Sequence, residues 1–163
     1  MNPVTATRRH YEDLAIGETV TLGAVTVTKD MIISFATEFD PFPFHLDETA
    51  AKASLLGGLA ASGWQTAALS LRLLVDAFLS NIASMGSFGF TDLKWKQPLM
   101  VDDTITGTAA ITSMRRSKSH PDRGILVIAF DIRNQRNEPL MSMNLTNLVE
   151  VRDPSAPIPE AAE

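Results

Sequence analysis

The sequence predicts an α+β fold in which a curved antiparallel sheet wraps one long apolar helix. Three observations carry this. A strand and two or three helices come first and strand patterns follow without interruption, an order that places helices against an antiparallel sheet. The helix expected over residues 63–79 is apolar on nearly every side (Trp64, Ala67, Ala68, Leu69, Leu71, Leu73, Leu74, Val75, Phe78), so other structure should enclose it. Finally, 163 residues at 45% hydrophobic content suit one domain with a single core.

Taken in order, residues 11–17 read as an entry loop. Residues 18–27 alternate as a strand whose parity slips at Gly23, the mark of a bulge or tight bend. Thr28 is a good N-cap for a helix to Phe39, with Met31, Ile32, Phe35, Ala36 and Phe39 as its apolar stripe. Asp47 can cap a short helix through Lys52, and Gly57-Gly58 marks an irregular turn. After the long helix, strands are expected around Phe88 to Trp95, with a parity break at Thr91-Asp92, and over residues 104–112, 126–132 and 141–151. Turns fall at residues 101–103 and 133–139, and residues 115–123 form a basic connection. One domain spans residues 1–152, and residues 153–163 are expected to be a disordered tail.

Composition removes several functions. A net charge of −5 is unsuited to general nucleic-acid binding, which needs a basic face. The absence of cysteine excludes disulfides and thiolate catalysis. The N-terminus has no apolar signal-peptide core, and the most apolar run, residues 69–79, contains Arg72 and Asp76 and is too short to span a bilayer. A cytoplasmic protein without membrane partners is expected.

The chemistry concentrates in Asp40-Pro41-Phe42-Pro43-Phe44-His45-Leu46-Asp47. Each proline fixes its own φ and disfavours the α region for the residue before it, so Asp40 and Phe42 are expected in a stiff, non-helical segment. The segment joins a carboxylate and an imidazole, and His45 is the only one of three histidines so placed. Asp47 reads as a helix cap rather than a catalyst.

Tyr11-Glu12-Asp13-Leu14 with Gly17, Thr26-Val27-Thr28, Asp40-x-x-Pro43-x-His45-x-Asp47, Gly57-Gly58, Ser62-Gly63 and the Asp102-Asp103-Thr104 turn together resemble the MaoC-like dehydratases, hotdog-fold relatives of the R-specific enoyl-CoA hydratases. The family's hydratase motif, D-x-N-P-x-H, is kept at Asp40, Pro43 and His45, while Phe42 stands at its asparagine and Ser62 where many members have histidine. The resemblance implies a single hotdog fold and reversible addition of water to a trans-2-enoyl-CoA. It implies that Asp40 and His45 hold and activate the water and that the Gly63 N–H supports the enolate oxygen. It also implies an acyl-CoA substrate, no metal or redox cofactor, and a homodimer or higher homo-oligomer with groups from a second subunit near the site. Phe42 and Ser62 are then candidate substrate contacts. Arg115, Arg116 and Lys118 are candidates for the coenzyme A phosphates, through charge pairing.

Two other functions compete. A hotdog thioesterase wants a carboxylate on the central helix facing the thioester, and Asp76 lies late in that helix on the same edge as Arg72. A non-catalytic acyl-thioester binder is favoured by Phe42 and Ser62.

Overall fold

The described residues of the computed structural model are 8–156. The strands are β1 (Thr19–Thr21), β2 (Val25–Thr26), β3 (Ser84–Trp95), β4 (Thr104–Arg116), β5 (Arg123–Arg133) and β6 (Pro139–Glu150). They form one antiparallel sheet in the order β1-β4-β5-β6-β3, with β2 also on β4. The helices are α1 (Lys29–Phe39), α2 (Pro43–Leu46), α3 (Glu48–Ala53) and α4 (Gly63–Ala77). Among the described residues no helix is long and apolar enough to cross a membrane.

Alternation places the core. On β5, Leu126, Ile128, Phe130 and Ile132 all point inward, and Leu140, Met141, Met143, Leu145 and Val149 of β6 join them. Burying each such side chain contributes about 1.5–3 kcal/mol relative to leaving it in water. Leu73 and Leu74 of α4 and Ile32 of α1 enter the same core. Thr28 caps α1, its hydroxyl accepting from Met31 N at 3.2 Å, and Arg72 pairs with Asp76 at 2.8 Å along the outer edge of α4.

Both predicted parity breaks are present. From Thr21↔Thr108 to Val25↔Ile105 the first segment advances four residues against three on β4, so one extra residue is inserted around Gly23. On β3 the register shifts between Thr91 and Lys94, and Asp92 takes a φ of 55°, a left-handed value that aspartate tolerates better than most residues. Further shifts at Gly86 and Gly89 carry β3 back to Ser84, well before the expected start at Phe88.

Four expectations need correction. The proline-braced segment is not wholly extended, because Pro43 opens the one-turn helix α2. Proline suits a first helical position, where its missing N–H would have had no partner. Phe39 ends the apolar stripe of α1 but is 65% exposed. The enclosure of α4 is incomplete: Trp64 is 55% exposed, while polar Gln65, Thr66 and Ser70 are buried. Finally, β4 does not stop at Thr112. A register shift between Ile111 and Ser113 moves the inward parity from odd to even positions, which brings Arg116 inside opposite Gly124.

At the chain ends, a bidentate Arg9–Glu18 pair (2.5 and 2.8 Å) ties the entry loop to the start of β1. This pairing holds the Glu18 carboxyl below the usual glutamate range. The Tyr11 ring lies over Gly124, where a Cβ would sit 2.1 Å from its Cδ2. Asp153 and Ser155 form a turn, with Ser155 N donating to Asp153 Oδ1 at 3.0 Å, and the remainder of the expected tail, residues 157–163, lies outside the described residues.

Candidate active site

Three backbone features bring the predicted residues together. Asp40 caps the C-terminus of α1, its N–H donating to Ala36 O at 2.9 Å while its φ of −153° turns the chain away from the helix. Pro43 then restarts helical geometry, and His45 follows on α2 with only 7% of its surface exposed. The chain returns through residues 59–61, which lie strand-like against residues 99–101: Val101 N donates to Leu59 O at 3.0 Å and Ala61 N to Leu99 O at 2.8 Å. This pairing fixes the Ala60 carbonyl, and His45 Nδ1 lies 2.8 Å from it.

That contact sets the tautomer. A carbonyl oxygen can only accept, so Nδ1 carries the proton and donates, leaving Nε2 to face the opposite direction. Nε2 lies 3.6 Å from Asp40 Oδ2. At that separation the two do not hydrogen-bond directly, and the gap lets both reach one small molecule between them.

Both side chains line one cleft of about 460 Å³. Ser62 and Gly63 line it as well, at the start of α4. Ser62 is completely buried, and its hydroxyl caps α4 by accepting from Trp64 N at 3.2 Å. The Gly63 N–H, at the first helical position, has no intrahelical acceptor and lies at the positive end of the helix dipole. Phe44, Leu56, Ala61, Pro98 and Leu99 supply apolar wall, and Thr66, Trp64, Trp95, Lys96 and Gln97 complete the lining.

The other predicted residues lie elsewhere. Phe42 is the N-cap of α2 and is 56% exposed; it stacks on Phe44, ring centroids 5.2 Å apart, without lining the cleft. Asp47 faces away and caps α3, Oδ1 accepting from Ala50 N at 2.8 Å. Arg115 and Lys118 border a second cleft of about 410 Å³ at the β4–β5 hairpin, together with His120, Arg123 and Phe88. Arg116 lines neither cleft. It is buried, and its guanidinium donates to the Pro121 carbonyl at 2.8 Å.

The lining residues not singled out in the sequence as site residues include Phe44, Thr66, Trp95 and Lys96. Phe44 could have been found from its place between the motif's proline and histidine. Lys96 reads as outer strand surface, and only the end of β3 at Trp95 turns it to the cleft. Thr66 and Trp95 carry no signal short of the tertiary fold.

A model of the MaoC like domain matches residues 13–127. The uncharacterized protein YdeM of Bacillus subtilis is 25% identical over 139 residues, 85% of this chain and 97% of that protein. The crystal structure of a MaoC-like dehydratase from Rhodospirillum rubrum superposes with a TM-score of 0.81 at 41% identity, covering 88% of this chain and 98% of that one. The (R)-hydratase from A. caviae involved in PHA biosynthesis shares the fold at 22% identity, with a TM-score of 0.68 over 83% of this chain and 97% of that one. The sheet laid against α4 is accordingly a single hotdog fold. With more than half its length matched by the family model and a structural relative 41% identical, the chain belongs to the MaoC-like domain family.

Proposed function

We propose that the cleft adds water reversibly to the double bond of trans-2-enoyl-CoA thioesters, giving 3-hydroxyacyl-CoA. The observation that carries this reading is the meeting of Asp40, His45 and the N-terminus of α4 on one cleft, with His45 held by its Nδ1 bond so that Nε2 faces Asp40. A likeness to a MaoC-like dehydratase at 41% identity supports it.

In this mechanism one water sits between His45 Nε2 and the Asp40 carboxylate. Its oxygen bonds to the β-carbon as a proton passes to the dyad. The π electrons move toward the thioester oxygen, whose developing charge meets the Gly63 N–H. As the carbonyl re-forms, the α-carbon takes a proton from the dyad, which ends as it began. An acid and a base within reach of one water contribute about 10²–10⁴-fold each in such reactions. Dehydration runs the same path backwards.

Two further parts belong to the proposal. Arg115 and Lys118, whose charges stand at the surface of the hairpin cleft, pair with coenzyme A phosphates; Arg116 is excluded because its guanidinium is bound to backbone carbonyls. The protein also works as a homodimer joined along β3. This edge strand exposes Met85, Phe88, Phe90 and Trp95, and an open apolar edge favours pairing with a second copy. A thioesterase is disfavoured, since Asp76 points outward and is paired with Arg72.

The test is incubation of the purified protein with crotonyl-CoA and longer enoyl-CoAs, following the conjugated enoyl absorbance and free thiol separately. Loss of absorbance without thiol supports hydration. Thiol release would replace the proposal with a thioesterase, and ligand-induced thermal stabilisation with neither signal would replace it with a binding protein.

A further inference from the structure

The start of α4 is gripped from across the cleft. Trp95, the last residue of β3, lays its indole against Gly63 so closely that a Cβ there would fall 2.6 Å from Cε2 and 2.8 Å from Nε1. Its ring N–H donates to the Gly63 carbonyl at 2.9 Å. Trp64 stands edge-on to the same indole, with centroids 5.5 Å apart at 82°. Gly63 is not among the glycines with positive φ, so its backbone conformation would accept any residue. The need for glycine comes from the tryptophan.

We infer that Trp95 is a positioning residue for the proposed hydration: its indole clamps the first residue of α4 and so fixes where the Gly63 N–H lies relative to Asp40 and His45. This rests on the hydratase reading above. A helix N-terminus frays readily, and an oxyanion donor displaced by a fraction of an ångström loses much of its value. The clamp joins β3 to α4 by one ring face and one hydrogen bond, so the donor is held by the sheet as well as by its own helix. The ring also forms cleft wall, which makes the same side chain a limit on the space beside the thioester.

The two components of the clamp can be separated. Trp95→Phe keeps an aromatic face and removes the N–H donor; Trp95→Ala removes both; Gly63→Ala adds the methyl group that the indole excludes. With crotonyl-CoA, Trp95→Phe is expected to lower kcat about tenfold, because a less firmly held Gly63 N–H meets the charge that develops only in the transition state less well, with KM within about twofold. Gly63→Ala is expected to lower kcat by about thirtyfold or more in the wild-type background, by forcing ring and helix apart. In the Trp95→Ala background the ring atoms that the methyl group would meet are gone, so Gly63→Ala should cost several-fold less there than in wild type, and melting temperatures should follow the same pattern. Unchanged kcat in Trp95→Phe, a change in KM alone, or an equal cost of Gly63→Ala in both backgrounds would each overturn the inference while leaving the hydratase reading in place. Wild-type protein without turnover would overturn both.

Discussion

Asp40 and Asp47 flank His45 in the same short stretch, and the structure places their side chains in different surroundings. Asp40 borders the cleft 3.6 Å from His45 Nε2; Asp47 is exposed and caps α3 through Ala50 N at 2.8 Å. Replacing Asp47 with alanine therefore removes a cap and touches no reacting group. N-cap loss costs about 1 kcal/mol, which in a chain of this size lowers Tm by about 2–4 °C. Asparagine caps nearly as well as aspartate, so Asp47→Asn should recover most of that loss. Turnover in both variants should stay within about threefold of wild type, since the Nδ1 bond from His45 to Ala60 and the placement of Asp40 do not depend on the cap. Calorimetry and the enoyl absorbance assay on one set of preparations decide it. An Asp47→Ala protein that melts like wild type but loses turnover a hundredfold would refute this division of labour and make Asp47 a catalytic group.

Removing Arg115 and Lys118 together should raise KM for crotonyl-CoA severalfold at low salt and less at high salt, with kcat and Tm little changed, as steady-state kinetics across ionic strength would record. Gly124→Ala should destabilise the fold by about 1–3 kcal/mol, because the new methyl group meets the Tyr11 ring; denaturant melts would show it. The depressed Glu18 carboxyl supports the fold above its unfolded pKa and loses that support as pH falls through its lower folded value. The Tm difference between wild type and Glu18→Gln should thus be present at pH 7 and shrink below the ordinary glutamate value of about 4.3; its partial exposure keeps the effect to about 1 kcal/mol or less.

Local signals carried much of this molecule. Thr28, Asp47 and Ser62 each cap the helix that their side-chain chemistry suggests, and the parity slips at Gly23 and Thr91-Asp92 correspond to register shifts between strands. Periodicity failed where a bulge reset it. Alternation stops at Thr112, and nothing local tells that β4 continues to an inward Arg116, which looks like one charge of a surface loop. The cleft shows the same divide. Asp40 and His45 could be found because they share one short segment, whereas Trp95 reaches Gly63 from 32 residues away, a contact that only the sheet creates. Apolar content also misled at Phe39, which is exposed: hydrophobicity alone does not separate a core face from an open surface.

The most direct test takes Asp40→Asn and His45→Ala, each verified as folded by its melting curve, and measures hydration of crotonyl-CoA against wild type. The dyad predicts a fall of about 10²–10⁴-fold in kcat for each substitution. The two together should be little worse than either alone, because both act on one water. Wild-type turnover in either folded variant would contradict it.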